Sequence, residues 1–429
     1  MTVPPARTAS TADLHRVVDA VWRMESARIV GALTRVTGDV GLAEELAQDA
    51  LVAALEQWPE TGLPARPGAW LMATAKHRAI DTFRRAETLR RKTAELGRDL
   101  DDTEEPDWAA ALDEVVEDDV LRLVFIACHP VLSGEARVAL TLRLVGGLTT
   151  DEIARAFLVP EATLAQRIVR AKRTLTAAKV PFEMPTGAEF TARLGSVLEV
   201  LYLVFNEGYS ATAGQDWMRP ALCREALRLG RILAGLVPGE PEVHGLVALM
   251  EIQASRLASR TDEHGEPVLL GDQDRTRWDR VLIGRGLAAL QRAEESGAAL
   301  GPYALQASIA ACHARATTVE ATDWPRIAAL YEALAAVNPS PVVELNRAVA
   351  VSRAYGPDAG LELVEALADV PALRGYHLLP TVRGDLLEQL GRRAEARAEF
   401  ERAASLTRNE QEQRVLLDRA AACGPQLGA

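Results

Sequence analysis

The stretch LTTDEIARAFLVPEATLAQRIVRAKRTL, Leu148–Leu175, decides how the rest of the chain is read. Thr149 and Glu152 have the spacing of a capping box, so a helix starts there. Ile153, Ala154 and Phe157 form its apolar side. Leu158, Val159 and Pro160 make a short turn, and Pro160 pre-sets the start of the next helix. In that second helix Leu164, Ile168, Ala171 and Leu175 repeat at intervals of four, three and four, which is a core stripe. Thr163, Gln166, Arg167 and Arg170 fall on the other side. A polar, cationic face on a helix entered from a tight turn suits a major groove, where Arg and Gln read base edges. Lys172, Arg173 and Lys179 lie further along, placed for phosphates. The pattern predicts a DNA-reading helix-turn-helix. The bland alternative is a solvated basic helix on a helical hairpin, and the motif alone does not say which kind of DNA-binding protein carries it.

Working upstream, WLMATAKHRAIDTFRR, Trp70–Arg85, separates two faces at the helical period of roughly 100° per residue. Leu71, Met72, Ala75, Ala79 and Phe83 share one sector, and Thr74, His77, Arg78, Asp81, Arg84 and Arg85 share the opposite one. Arg90, Arg91 and Lys92 extend the positive charge. Such a face suits a phosphate backbone, with Trp70 and the Pro64–Gly68 loop beside it to lodge splayed-out bases. Further upstream, LAEELAQDALVAALEQW, Leu42–Trp58, is an amphipathic helix. The macrodipole alone accounts for Glu44, Glu45 and Asp49 near its start.

Charge is distributed unevenly. The 429 residues carry a net charge of −12, which argues against indiscriminate nucleic-acid binding by the whole surface. From Asp99 to Asp119 there are eleven acidic residues and no Lys or Arg, flanked on both sides by helices with excess positive charge. That order predicts two DNA-facing units joined by an acidic spacer. The spacer reads equally as a strand that occupies cationic channels or as a solvated linker. Ala and Leu dominate and period-two patterns are almost absent, so the fold class is all-α. The chain divides into residues 14–98, the spacer 99–119, a compact segment 120–180 and an extension 187–429. There is no uncharged apolar run of about 18 residues, and Met1–Ser10 lacks an apolar core of a signal peptide, so no membrane partner and a cytoplasmic location are expected. Cys128, Cys223, Cys312 and Cys423 are far apart and read as reduced structural thiols; no second ligand pair joins Cys128 and His129 in a metal site.

The extension contains no Lys, and its acids outnumber its arginines, which disfavours a third DNA-binding unit. QLGRRAEARAEFERAASL, Gln389–Leu406, resembles a tetratricopeptide repeat: Gly391 supplies the inter-helix turn, and Ala396, Phe400 and Ala403 fall where paired helices interlock. Gly356 precedes Gly391 by 35 residues, close to that period. Asp323–Val351 adds an antiparallel helix pair with a Pro-containing turn. YLVFNEGYSA, Tyr202–Ala211, has two readings: a tight turn with satisfied polar groups, or the lining of a ligand pocket or partner groove. His244, His264, His313 and His377 have no metal or triad spacing, and no phosphate loop or nucleophile motif is present, so neither cofactor nor enzymatic activity is expected.

These pieces, in this order, resemble the sigma-70 family of bacterial RNA polymerase factors, extracytoplasmic-function group, in a form with a helical-repeat extension. Ala43–Leu51 looks like the region 2 helix that grips the polymerase clamp, which implies polymerase contacts for Glu44, Glu45, Gln48 and Asp49. Ala69–Arg85 looks like the segment that melts and reads the −10 element, implying DNA contacts for Trp70, Thr74, His77, Arg78, Asp81, Arg84 and Arg85. Leu148–Leu175 looks like region 4, implying −35 contacts for Thr163, Gln166, Arg167, Arg170, Lys172 and Arg173. The family commonly has Asn where His77 stands and a basic residue where Ala165 stands, so promoter preference does not carry over. The implied partners are core polymerase and promoter DNA, with a protein or small-ligand regulator acting on the extension. The alternative is a helix-turn-helix regulator with a repeat-built sensor domain, which leaves Ala43–Leu51 and Trp70–Arg85 without a role.

Overall fold

The computed structural model describes residues 11–96, 119–157, 159–211, 217–263 and 266–424. The acidic spacer lies outside them except for Asp119, as do Leu158 and His264. Among the described residues there are eighteen α-helices and no strand, as an Ala- and Leu-rich chain with 3.6-residue periodicity dictates. The helices form two compact units, Met1–Val200 and Leu201–Ala429.

In the first unit, α1 (Thr11–Thr37), α2 (Val40–Thr61) and α3 (Pro67–Leu96) pack together. Asp39 caps α2 by accepting from the Leu42 amide at 2.9 Å. Leu33, Trp58, Leu71, Ala75 and Ala79 are buried between these helices, and Trp58 meets Trp70 edge-to-face at 5.4 Å. The apolar sector predicted for α3 is thus the one that packs.

Next come α4 (Asp119–Ala127), α5 (Gly134–Leu144), α6 (Thr150–Phe157) and α7 (Glu161–Ala177). The capping box closes in both directions: the Thr149 amide donates to Glu152 Oε2 at 2.8 Å, and the Glu152 amide to Thr149 Oγ1 at 3.1 Å. Leu164, Ile168, Ala171 and Leu175 are all buried, so the core stripe read from the sequence is the one the fold uses. The first part of α8 (Gly187–Tyr209) secures the end of α4. Arg193 donates to the Phe125 carbonyl at 3.1 Å and Ser196 to the Cys128 carbonyl at 2.7 Å, satisfying acceptors that a helix end leaves open. Burial pushes the Cys128 thiol up to about 12, and its Sγ lies 3.2 Å from Thr141 Oγ1, an inert packed thiol.

The second unit continues from α8 through α9 (Pro220–Leu236), α10 (Pro241–Ala254), α11 (Arg280–Glu295) and α12 (Pro302–Arg315). It ends with α13 (Trp324–Val337), α14 (Pro341–Tyr355), α15 (Pro357–Ala366), α16 (Leu378–Gln389), α17 (Arg393–Leu406) and α18 (Glu410–Ala422). Gly391 turns the chain between α16 and α17 at φ +75°, which only glycine adopts without strain. Ala396, Phe400 and Ala403 are fully buried, and Phe400 packs so closely on Gly384 that a Cβ there would lie 2.8 Å from its ring. Asn409 caps α18 and also donates to the Ala211 carbonyl at 3.0 Å, while Arg414 reaches Glu266 at 2.8 Å. The last helix therefore meets the turn that follows α8.

His313 lies against Trp324 at 5.2 Å, and burial, helped by the charges of Arg256 and Arg275, lowers its pKa from 6.5 to about 4. A depressed imidazole contributes stability that is fully present above the unfolded value and is lost as pH falls from 6.5 towards 4. The span corresponds to roughly 3 kcal/mol. Urea denaturation at neutral pH and near pH 4 should therefore show a smaller acid-induced loss in His313→Asn than in the unaltered chain; equal losses would contradict the assignment.

Candidate nucleic-acid interface

The α7 surface is built by its own buried stripe. With Leu164, Ile168, Ala171 and Leu175 turned inward, Thr163, Gln166, Arg170 and Arg173 are exposed. Arg167 is half-buried, its Nη2 2.7 Å from Glu135 Oε2 on α5. Lys172 turns away from this surface and pairs with Glu44. Four of the six predicted −35 residues thus share an open face, one is partly held by its neighbour, and one points into the unit.

On α3, burial of Leu71, Ala75 and Ala79 leaves His77, Arg78, Asp81, Arg84 and Arg85 exposed. Trp70 and Thr74 are half-buried at its start, Trp70 against Trp58. Arg78 lies 3.9 Å from Asp49, an exposed pair of little energetic weight. The side chains of Arg90, Arg91 and Lys92 lie outside the described residues.

The four predicted polymerase contacts on α2 separate by burial. Glu45 and Asp49 are exposed, Gln48 is half-buried, and Glu44 is only 4% exposed. Glu44 Oε1 accepts from Arg143 Nε on α5 at 2.6 Å and from the Gln48 side chain. Its Oε2 faces the Lys172 ammonium on α7. Arg143 also donates to the Leu148 carbonyl at 3.0 Å, so the guanidinium bridges α2 to the turn that opens the helix-turn-helix.

Other ties join the same two helix groups. Asp119, read from the sequence as a spacer residue, begins α4 and is buried between Arg35 at 3.0 Å and Arg122 at 3.0 Å. Arg23 of α1 pairs with Glu152, and Thr176 of α7 donates to Asp39 at 3.2 Å. Gly147 fits its turn at φ +70° against α1, where a Cβ would lie 2.7 Å from Ser26 Oγ. The two basic surfaces are therefore held in one unit by a contact whose centre is a buried carboxylate with two cations. Such clusters specify an arrangement more than they stabilise it, because desolvation offsets most of the Coulomb gain. Local sequence signals found α3 and α7; they missed Arg143, Arg35 and the role of Asp119, whose partners are far away in the chain.

In the extension, the Tyr202–Ala211 segment is not the tight turn expected from the sequence: Tyr202–Tyr209 forms the last two turns of α8, and its polar side chains pair with residues that follow. Glu207 pairs with Arg219, the Arg219 amide donates to the Gly208 carbonyl at 2.7 Å, and Tyr202 donates to Gln306 Oε1 at 3.1 Å. Gly208 packs on Cys223, whose backbone nitrogen would lie 2.7 Å from an added Cβ.

Comparison with known proteins agrees with this geometry. Residues 21–88 match the family described as Sigma-70 region 2, and residues 122–175 match Sigma-70, region 4. Residues 193–294 match a family of unknown function, DUF6596. The chain is 47% identical, over 92% of its length and 93% of the relative's, to the uncharacterized protein R00370 of Rhizobium meliloti. It is 26% identical to the probable ECF RNA polymerase sigma factor SigI of Mycobacterium tuberculosis, over 39% of this chain and 57% of that one. It is 29% identical to the ECF RNA polymerase sigma factor SigK of a Mycobacterium species, over 35% of this chain and 76% of that one. No solved structure gives a significant match.

Proposed function

Since the chain belongs to the extracytoplasmic-function group of sigma-70 RNA polymerase factors and carries an extra C-terminal domain, we propose that it acts by placing two helical surfaces on separate promoter elements. In this reading α7 reads the −35 element through Thr163, Gln166, Arg167, Arg170 and Arg173, with Lys172 joining once released from Glu44. The α3 surface, from Trp70 and Thr74 through His77, Arg78, Asp81, Arg84 and Arg85, engages the −10 element. Glu44, Glu45, Gln48 and Asp49 contact core polymerase. Residues 14–98 and 120–180 are the two promoter-facing modules, 99–119 the linker between them, and 187–429 a regulatory extension that a protein or small ligand engages.

The observation that carries this reading is the exposed face of α7. Its Thr, Gln and Arg side chains stand opposite a fully buried stripe, behind a helix with a closed capping box. Base-reading side chains on a helix anchored by its own buried stripe are what major-groove recognition requires. Sigma-free core polymerase plus the purified chain, transcribing a genomic library with start sites mapped, tests the proposal. Specific starts behind a shared pair of elements are expected; no specific initiation would sink it.

The regulatory part has its own test. Because residues 187–200 pack on α4, the informative truncation ends at Val200 rather than before Gly187. Promoter output in a purified transcription assay is expected to change on this truncation. Unchanged output would discard control by the extension.

A further inference from the structure

Among the described residues, two arginines of the second unit have no ion-pair partner. Arg256 and Arg260 flank the short 3-10 turn Leu257–Ser259 that follows α10, and both guanidinium groups lie over the Tyr209 ring. Arg260 is 8% exposed, and its Cζ lies 3.7 Å from the centre of the Tyr209 ring and 5.4 Å from that of Trp217. Arg256 is half-buried, 5.7 Å from the rings of both Tyr209 and Trp278. Among the described residues neither guanidinium has a hydrogen-bond acceptor or an ion-pair partner, and both Nε atoms are sealed from solvent. Stacking on aromatic rings holds such cations in place but supplies only part of what water would. A buried cation without a partner is costly, and arginine does not relieve the cost by deprotonating.

The surroundings deepen the deficit. Arg275, nearby, spends its donors on the carbonyls of His313 and Ala316 and on Thr322. The indole nitrogens of Trp217 and Trp278, whose rings lie beside Arg260 and Arg256, are further buried donors without an acceptor. The carboxylate of Glu412, which feels the charge of Arg260, is engaged by His377 at 3.2 Å and by Thr407 at 2.7 Å. The charge of Arg256 is also felt at Tyr331 of α13, which keeps accessible surface although burial pushes its phenol up to about 12.

We propose that Arg256 and Arg260 form a binding site for a small organic anion, whose carboxylate or phosphate is clamped by the two guanidinium groups while its body lies among Tyr209, Trp217 and Tyr331. Two stacked, donor-only forks side by side match the geometry of an oxyanion. The aromatic walls suit a planar ligand. The site gives the regulatory extension a ligand class. Only its consequence for transcription rests on the reading of the extension as regulatory; binding itself is measured without polymerase.

The test uses the full chain with two probes, inorganic phosphate and benzoate, against chloride at equal ionic strength. A roughly ten-fold excess over Kd is expected to raise Tm by about 3–6 °C for at least one probe, with a change in tryptophan emission from Trp217 and Trp278. A response to benzoate alone identifies a carboxylate on a planar body, and a response to phosphate a phosphate ester. Arg256→Gln and Arg260→Met should each lose the shift. Without any probe, Arg260→Met, which keeps the stack but not the charge, should melt no lower than the unaltered chain. The proposal is overturned if neither probe shifts Tm, if the shift survives in both variants, or if Arg260→Met alone destabilises the probe-free protein as a structural arginine would.

Discussion

Replacing Arg143 and Lys172 together with alanine should separate the two halves of the first unit. The change strands Glu44 as a buried carboxylate without a cation, a loss of about 3–5 kcal/mol if the arrangement stays closed. The chain has a cheaper course, which is to let α5–α7 swing off α1–α2 so that Glu44 meets water. A larger radius of gyration by small-angle scattering is therefore expected, with faster amide exchange along α2 and α7. If Glu44 belongs to the polymerase-binding surface, the variant should also bind core enzyme more tightly than the unaltered chain. Glu44→Gln serves as the control: with no charge to hydrate it should leave the unit closed, and it removes the carboxylate that polymerase would engage. An unchanged radius in the double variant would show that the remaining ties, Arg35–Asp119 and Arg23–Glu152, suffice to keep the unit shut.

Arg167→Ala combined with Arg170→Ala should abolish the dependence of initiation on the −35 element. A bidentate base contact is worth about 1–3 kcal/mol, so losing two weakens binding to a promoter with that element by at least roughly 30-fold. Fold stability should move by less than about 1 kcal/mol, because Arg170 is exposed and Arg167 forms a single partly exposed pair with Glu135. Arg170→Ala alone should account for the larger share, since Arg167 must first leave Glu135. Template competition with and without the −35 sequence measures the effect. Retained discrimination in the double variant would mean that α7 is not the reading helix.

What the sequence disclosed, it disclosed locally. The α6–α7 pair was legible because its cap, its turn and its stripe all lie within Leu148–Leu175. Burial of Ile153, Leu164, Ile168, Ala171 and Leu175 follows directly from their spacing. Gly391 and Phe400 were legible for the same reason, as parts of one short repeat. The contact around Glu44 was not. The macrodipole explains an acidic residue in the first turns of α2 well enough, and nothing near position 44 announces partners at 143 and 172. Asp119 closes an acidic run and so looks like more of it, until Arg35 and Arg122 surround it. Arg256 and Arg260 likewise sit in an unremarkable stretch, and their meaning depends on Tyr209 and Trp217, which only the fold brings near. Periodicity tells which face of a helix is buried; it does not tell which distant charge is buried with it.

The lysines of this chain are few and confined to Lys76, Lys92, Lys172 and Lys179, all before the extension begins. An amine-selective acylating reagent therefore labels lysine side chains only before residue 187, without signal from the extension. Lys172, neutralised by Glu44 in the closed unit, should acylate slowly there, while exposed Lys179 a short way along the same chain gives an internal reference. The ratio of the two by mass spectrometry becomes a clock for how often the unit opens in solution, read on the unmodified protein with no fluorophore, crosslink or substitution.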